Sequence, residues 1–258
     1  MQRYKLTVAY DGTDYAGWQW QDNSPTIERA LRQAVSKAFK YTHQNFYLVG
    51  ASRTDAGVHA KGQVVRLCIP INVPPTKLLS ILNNALPSDI ITTEAQNADE
   101  HFHPQHAVIS KKYTYTIFTR RPLPHLQRHG WFFYYPFDYE IVRKALTLYI
   151  GTYDFRMFCK ENLEKNTTKT ITSASIDHCR ETGTYTITIE GPSFLRYMIR
   201  RIVGAVSYCA AKKNVTLEDI SLALKNKKTL PLIPCAPAKG LCLEKITYGP
   251  SEKREFNE

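Results

Sequence analysis

The hydrophobic pattern of this sequence alternates along the chain between a period of two and a helical period, and this alternation limits the folds open to it. Lys111–Thr119 shows the period of two clearly, because its largest apolar residues all fall on one face, as in a half-buried strand. The segment from Ile27 to Phe39 instead spaces its apolar residues as one stripe of a helix. Strand patterns cover Tyr4–Tyr10, Tyr47–Val49, Gln63–Ile69, Lys111–Thr119, Ile171–Cys179, Tyr185–Ile189 and Leu241–Tyr248, and helix patterns cover Ile27–Phe39, Thr76–Leu86, Ile141–Leu148, Phe194–Ala211 and Leu217–Leu224. Strands mixed with helices on short connections predict an α+β fold with the helices gathered on one face of its sheets.

Both halves of the chain repeat this order of elements loosely, which predicts two similar lobes. A chain of 258 residues is long enough to bury one large core or two modest ones. We predict an N-terminal α+β lobe over residues 1–105, a C-terminal α+β lobe over residues 106–250 and a polar tail over residues 251–258. The boundary falls in the polar stretch 92–110, and a second polar stretch, 162–170, is predicted to be an exposed loop.

The charge of the chain is strongly positive and unevenly distributed. The sequence has 34 Lys and Arg against 23 Asp and Glu, a formal net charge of +11. Every charged residue in 101–137 and in 192–215 is Lys or Arg, and both stretches also contain aromatic residues. Basic groups neutralise phosphates while aromatic rings stack on unpaired bases, so this combination suits single-stranded or looped RNA. An ordinary core with a basic rim is the alternative interpretation. The predicted RNA contacts in these stretches are Lys111, Lys112, Arg196 and Arg201.

Several other classes of protein are disfavoured by the sequence. The strand pattern begins at Tyr4, which leaves no room for a signal or transit peptide, and no apolar run approaches a membrane span. The six cysteines are scattered without a C-x-x-C pair, as expected for free thiols of a cytoplasmic protein. His101 and His103 lack nearby ligand partners in the sequence, so we predict no metal site. No G-x-G-x-x-G or G-x-x-x-x-G-K-[ST] motif follows a strand, which argues against a dehydrogenase-like or nucleotide-binding protein.

The stretch GASRTDAGVHAKG, residues 50–62, places a single carboxylate between two predicted strands of this basic chain. Asp55 stands among small residues and directly follows an Arg-Thr pair. A solvent-exposed turn and an active-site loop that holds one acid against a substrate both account for the pattern. We interpret the nearby His59 as a residue that hydrogen-bonds within the loop rather than as an acid–base partner of Asp55.

The segment RTDAGVHA, residues 53–60, resembles the active-site signature of the tRNA pseudouridine synthase A family. Six further segments resemble those of the family in the same order. They are AYDGTDYAGWQ (9–19), NNALPSDI (83–90), FHPQHA with KKYTY (102–115), GTYDFRMF (151–158), GPSFLRYMIRRIVGA (191–205) and APAKGLCLEKITY (236–248). With seven collinear segments from Ala9 to Tyr248, the chain is identified as a member of this family.

The resemblance implies a fold of two α+β lobes whose mixed or antiparallel sheets join into one curved sheet, with the active-site cleft between the lobes. It implies a homodimer that uses neither a metal nor an organic cofactor. It also implies an isomerase, a tRNA pseudouridine synthase, that converts uridine to pseudouridine in the anticodon stem-loop at tRNA positions 38, 39 and 40. In such an enzyme the target base is flipped out of the RNA into a basic cleft.

The resemblance also assigns roles to individual residues. Asp55 matches the family's catalytic acid, which serves either as a nucleophile at C1′ of the ribose or as the base that takes the C2′ proton and gives a glycal. Arg200 matches the arginine that pairs with this acid, although the helical pattern alone places Arg200 off the apolar stripe. Tyr113 matches the tyrosine that stacks on the flipped uracil, and Arg53 matches the arginine that fills the space left by the base.

Three positions depart from the family pattern. Ser52 stands where Gly is usual, Gln105 where Arg is usual, and Tyr153 where His is usual. None of them replaces the acid, the arginine or the stacking tyrosine, so we expect activity. The alternative function is a catalytically inactive module that binds or chaperones tRNA with the same basic cleft. The intact Asp55 favours the enzyme, because a module that only binds has little use for a carboxylate beside phosphates.

Overall fold

The computed structural model describes residues 1–160, 166–226, 229–230 and 234–249. The helices are α1 (Ile27–Phe39), α2 (Pro75–Ala85), α3 (Tyr139–Thr147), α4 (Met198–Ala210) and α5 (Leu217–Leu224). The strands are β1 (Gln2–Tyr10), β2 (Tyr47–Gly50), β3 (His59–Ile69), β4 (Ile90–Asn97), β5 (Val108–Phe118), β6 (Trp131–Phe132), β7 (Gly151–Asp154), β8 (Thr168–Ile171), β9 (Ser173–Cys179), β10 (Thr184–Gly191) and β11 (Leu241–Tyr248). The predicted α+β class is therefore confirmed. Within these described ranges, no helix is long and apolar enough to cross a membrane.

The chain divides into two compact units. The first unit is Met1–Ile109 together with the C-terminal segment that begins at Leu243, and the second is Ser110–Cys242. The C-terminal segment returns to the first unit because β11 lies next to β3 in the sheet. The predicted polar tail, residues 251–258, lies outside the described residues.

The first unit is built on an antiparallel sheet in which β1 lies between β3 and β4. The short strand β2 also pairs with β3 in the antiparallel direction. The alternating pattern of β1 buries Tyr4, Leu6 and Val8, and α1 contributes Leu31 and Val35 to the same core. Burying a large apolar side chain contributes roughly 1.5–3 kcal/mol, so this core gives the connection between β2 and β3 a rigid frame.

The second unit is built on the antiparallel strands β5, β10 and β9, with the short strand β6 parallel to β5. The strands β7 and β8 form a separate two-stranded sheet. Helix α3 packs against α4 and β9. Ile202 and Val206 of α4 are fully buried, as are Val142 and Leu146 of α3, so these two helices form the centre of the helical layer.

The structure corrects two local predictions, the start of α4 and the loop 162–170, and adds one strand, β4, that the pattern did not predict. Helix α4 begins at Met198 rather than at Phe194, because Tyr197 has a φ angle of 63°, a left-handed conformation that does not continue a right-handed helix. The polar stretch 92–110 contains most of β4, which pairs with β1. In the predicted loop 162–170, residues 168–170 belong to β8, while residues 162–165 lie outside the described part of the chain.

Candidate active site

Asp55 lies in a tight turn between β2 and β3. The N–H of Val58 donates to the carbonyl of Asp55 at 3.1 Å. Gly57 has a φ angle of 76°, the left-handed value that the third residue of a type II turn requires. Thr54 is buried, Arg53 is exposed and Asp55 is half-buried. The turn therefore fixes the main chain at the carboxylate while leaving part of its side chain accessible.

The segment that follows β1 holds this turn by hydrogen bonds. The N–H of Trp18 donates to the carbonyl of Thr54 at 3.0 Å, and the N–H of Gly57 donates to the carbonyl of Tyr15 at 3.2 Å. The hydroxyls of Tyr10 and Thr54 lie 2.8 Å apart and share a hydrogen bond. The residues before and after the acid are thus attached to one segment of the chain.

Two glycines of that segment allow it to approach the turn closely. Gly17 has a φ angle of 98°, and a Cβ atom there would lie 2.7 Å from the carbonyl oxygen of Thr54 and 3.1 Å from the carbonyl carbon of Asp55. A Cβ atom at Gly12 would lie 2.0 Å from the carbonyl oxygen of Val58. Side chains do not fit at these distances, so this backbone contact requires glycine at both positions.

His59, at the start of β3, joins the same two segments. It is buried, and its Nδ1 accepts a hydrogen bond from the N–H of Gly12 at 3.1 Å. The same Nδ1 lies 3.1 Å from a carboxylate oxygen of Asp11. One ring nitrogen of His59 thus contacts both Asp11 and Gly12, which attaches the start of β3 to the segment after β1.

Two glutamine side chains fix the backbone that leads into the turn. Gln63 is fully buried, and its carboxamide pairs with both main-chain groups of Ser52, at 3.2 Å to the N–H and 2.6 Å to the carbonyl. The side chain of Gln105 donates to the carbonyl of Gly50 at 2.9 Å. The amide of Gln105 therefore holds the end of β2. Sequence reasoning missed Gln63, whose only local signal is an uncharged polar residue directly before the apolar pair Val64 and Val65.

Tyr113 lies on β5 in the second unit. Its ring is buried and meets Phe194 edge to face, with the ring centroids 5.4 Å apart. The neighbouring Lys112 has its ammonium group 3.5 Å from a carboxylate oxygen of Glu190 on β10. Lys111 is half-buried. Strand β5 therefore carries a partly buried cation, a paired cation and an aromatic ring at the consecutive positions Lys111, Lys112 and Tyr113.

Arg200 lies in the first turn of α4, where the segment preceding β11 fixes it. Its Nε donates to the carbonyl of Ala236 at 2.8 Å, and the N–H of Ala236 donates back to the carbonyl of Arg200 at 3.1 Å. A Cβ atom at Gly204 would lie 2.2 Å from the carbonyl oxygen of Pro234, so the helix packs directly on this segment. The two hydrogen bonds hold the arginine stem and restrict the directions open to its guanidinium.

Tyr197 gathers three cations around its ring. The guanidinium carbons of Arg200 and Arg196 lie 4.9 and 5.1 Å from the ring centroid, and the ammonium of Lys160 lies 5.8 Å from it. These are cation–π distances. Left-handed backbone at a residue other than glycine is costly and concentrates at functional sites. Sequence reasoning missed both Tyr197 and Lys160, because no local pattern marks a tyrosine that interrupts a helical stripe.

The structure distributes the predicted site residues over both units. Asp55 and Arg53 belong to the first unit. The second unit carries Tyr113, Arg200, Arg196, Arg201, Lys111 and Lys112. The Nε of Arg201 is buried and makes no hydrogen bond within the described ranges.

A family model described as tRNA pseudouridine synthase matches residues 6–106 and 145–249 of this chain. The chain belongs to the tRNA pseudouridine synthase family. The first matched range includes the turn with Asp55 and the segment that holds it, and the second includes Arg200 and the segment that fixes it. Tyr113 and Lys111 lie between the two ranges.

Curated relatives carry the name "tRNA pseudouridine synthase A" and match the chain along nearly its whole length. The relative from Thermoanaerobacter sp. is 35% identical over 250 residues, which cover 96% of this chain and 100% of that protein. The relative from Aster yellows witches'-broom phytoplasma is 37% identical over 246 residues, covering 95% and 98%. The relative from Thermodesulfovibrio yellowstonii is 34% identical over 258 residues, covering 96% and 100%.

The ammonium group of Lys111 gives this pseudouridine synthase family member a testable pH dependence. Burial disfavours the charged form and lowers the pKa of Lys111 from 10.5 to about 8. Between these values the unfolded chain binds more protons than the folded chain, so the contribution of Lys111 to stability rises with pH. We expect the free energy of unfolding of the wild type, relative to that of Lys111→Met, to increase as the pH is raised from about 8 to about 10.

Urea unfolding of both proteins across this pH range measures the effect. Lys112→Met removes a neighbouring ammonium that is paired with Glu190, and it is the control for loss of positive charge from the strand. A stability difference between wild type and Lys111→Met that does not change with pH would show that burial does not lower the pKa of Lys111.

Proposed function

We propose that the protein is an enzyme that isomerises uridine to pseudouridine in the anticodon stem-loop of tRNA, at tRNA positions 38, 39 and 40. The observation that carries the proposal is the half-buried Asp55, held in a tight turn by main-chain hydrogen bonds from Trp18 and to Tyr15. The net charge of +11 favours a polyanionic substrate. The names of the relatives favour tRNA as that substrate.

The reaction moves uracil from a nitrogen link to a carbon link on the same ribose. The C1′–N1 bond breaks, the base turns, and a C1′–C5 bond forms, while C5 loses a proton and N1 gains one. Oxidation state is conserved, so the reaction needs no redox cofactor, and we propose that it proceeds on protein side chains without a metal or an organic cofactor. Asp55 acts either as the nucleophile at C1′ or as the base at C2′, and each route requires one ionised carboxylate beside the sugar.

The second unit supplies the partners of this acid in our proposal. Arg200 pairs with the Asp55 carboxylate, and the hydrogen bonds to Ala236 keep its guanidinium in position. Tyr113 stacks on the flipped uracil, an interaction worth about 1–3 kcal/mol that offsets part of the cost of unstacking the nucleotide. Arg53 is exposed beside the acid and fills the space that the base leaves.

The proposal also gives the surrounding basic residues a role and the protein an oligomeric state. Lys111, Lys112, Arg196 and Arg201 contact the RNA. Asp55, Arg200 and Tyr113 act together on one flipped nucleotide in this proposal. The protein acts in the cytoplasm as a homodimer.

Release of tritium from tRNA labelled at C5 of its uridines tests the proposed function. We expect the protein to release label from unmodified tRNA, because formation of the C1′–C5 bond expels the C5 proton to water. A tRNA with cytidine at the three target positions is the matched control and releases none. Binding of unmodified tRNA without any release would instead favour the inactive tRNA-binding module.

A further inference from the structure

A groove beside helix α1 in the first unit has the chemistry of a site for nucleic-acid phosphates. Its volume is about 770 Å³, and its walls are α1, the residues that precede α1 and the end of α2. We propose that this groove binds backbone phosphates of the tRNA substrate next to the nucleotide that enters the active site. The inference rests on the proposed function. It adds a second surface for RNA, and none of the RNA-binding residues predicted from the sequence lines it.

Three side chains of α1 line the groove as one row. Arg29, Gln33 and Lys37 follow one another at intervals of four residues, so they lie on the same face of the helix. Arg29 and Lys37 are separated by about 12 Å along the helix axis. One strand of a nucleic-acid duplex presents a phosphate about every 3.4 Å along its axis, so the two cations reach different phosphates of one backbone.

The charge of the groove is positive, because Arg29 and Lys37 line it and none of the described lining residues is Asp or Glu. Three acidic side chains that neighbour the groove accept hydrogen bonds from other residues, and one of them is Asp22, whose carboxylate accepts from Nε1 of Trp20 at 3.0 Å. The carboxylate of Glu28 accepts from Arg32 at 2.9 Å and from the N–H of Trp20 at 3.0 Å. The carboxylate of Asp89 accepts from the hydroxyl of Tyr15 at 2.8 Å. None of these carboxylates forms an ion pair with Arg29 or Lys37 in the part of the chain that the structure describes.

Arg29 is held in position for a backbone phosphate. Its Nη1 donates to the carbonyl of Asp22 at 3.0 Å, and its guanidinium carbon lies 5.7 Å from the ring centroid of Trp20. A neutral carbonyl and a ring orient the guanidinium without cancelling its charge. Lys37 is exposed, and its ammonium forms no ion pair within the part of the chain that the structure describes.

The N-terminus of α1 does not itself provide the anion site. The N–H of Ile27 donates to the carbonyl of Gly17, and the N–H of Glu28 donates to the carbonyl of Trp18. The N–H of Arg29 is capped by the hydroxyl of Thr26. Binding in the groove therefore depends on side chains, which substitution can remove one at a time.

The groove adjoins the turn that carries the acid. Tyr15 lines the groove, and its carbonyl accepts the hydrogen bond from Gly57, two residues beyond Asp55. The N–H of Ala16 donates to the carbonyl of Pro25, another lining residue, at 2.8 Å. An RNA strand whose nucleotide reaches Asp55 is thus within reach of the groove through its neighbouring phosphates.

Charge reversal at Lys37 tests the proposal with unmodified tRNA as the probe. We expect Lys37→Glu to weaken tRNA binding about three- to tenfold at low salt and to reduce the slope of log Kd against log salt concentration by about 1. The matched control is Lys77→Glu, which makes the same change at an exposed lysine of α2 outside the groove. We expect this control to bind like the wild type, and circular dichroism checks that both variants are folded.

The outcomes separate this proposal from the proposed function. Equal binding and equal salt slopes for Lys37→Glu and Lys77→Glu overturn the groove, even if the wild type isomerises tRNA. A wild type that releases no tritium from C5-labelled tRNA overturns the proposed function instead. Tritium release by Lys37→Glu with raised KM and unchanged kcat supports the groove, because phosphate contacts remote from the reacting atoms act on binding.

Discussion

Replacing Asp55 by Asn is expected to lower the rate of pseudouridine formation by at least about 10³-fold, while tRNA binding stays within about threefold of the wild type. Asparagine has nearly the size and shape of aspartate but carries no charge. It therefore serves neither as a nucleophile at C1′ nor as a base at C2′. Both routes open to Asp55 fail in this variant, so the expectation does not depend on the choice between them.

The turn itself is expected to survive the substitution. Its hydrogen bonds to Tyr15 and Trp18 come from main-chain groups, and its bond to Tyr10 comes from Thr54. The loss of rate then reports the missing carboxylate rather than a displaced loop. Circular dichroism and the unfolding temperature check that the fold is intact.

Tritium release under single-turnover conditions measures the rate, and filter binding measures the affinity for tRNA. Asp177→Asn is the matched control, because it neutralises an exposed carboxylate on β9 and is expected to leave both quantities unchanged. Release by Asp55→Asn at a rate close to that of the wild type would show that the acid of this enzyme is elsewhere.

Local pattern was sufficient to predict most of the elements. The predicted strand Leu241–Tyr248 agrees with β11 at both ends, and the predicted helix from Ile27 to Phe39 agrees with α1. In both cases the apolar period is regular and the flanking residues mark the ends, as Thr26 does by capping α1. Where the pattern is regular but one residue takes an unusual backbone conformation, the prediction fails. Tyr197 is that residue in α4.

The support of the candidate site was not predictable from periodicity. The sequence shows that Asp55 follows Arg-Thr, but it does not show that the glycines of the segment after β1 lie against the same turn. Nor does it show that Gln63, a strand residue by position, pairs with the main chain of Ser52. These contacts join residues that are distant in the sequence, and a single chain contains no signal for such pairs. The family resemblance identified the segments. The structure shows why the segment at residues 9–19 needs Gly12 and Gly17, because a Cβ atom at either position would overlap the main chain of the turn.

Replacing Gly17 by Ala is expected to lower kcat about 10²-fold and the free energy of unfolding by about 1–3 kcal/mol. The new Cβ atom would lie 2.7 Å from the carbonyl oxygen of Thr54 and 3.1 Å from the N–H nitrogen of Ala56. The atoms that the new Cβ atom meets all belong to the main chain. The overlap is therefore relieved only by moving the turn away from its position. A displacement of about 1 Å at the acid is enough to cost this factor in rate, whereas remote contacts to tRNA keep KM nearly constant.

Gly183→Ala is the control that separates this contact from backbone strain. Gly183 also has a left-handed backbone, with φ of 65°, but a Cβ atom there meets only the flexible side chain of Arg120 at 3.4 Å. Both substitutions place alanine at a positive φ angle, which costs about 1 kcal/mol in the left-handed region and more at the φ of 98° of Gly17, and only Gly17→Ala displaces the turn. Steady-state kinetics on tRNA and urea unfolding of both variants give the comparison. Equal kcat values for the two variants would mean that the segment after β1 stabilises the fold without positioning Asp55, because the shared strain alone would then explain the result.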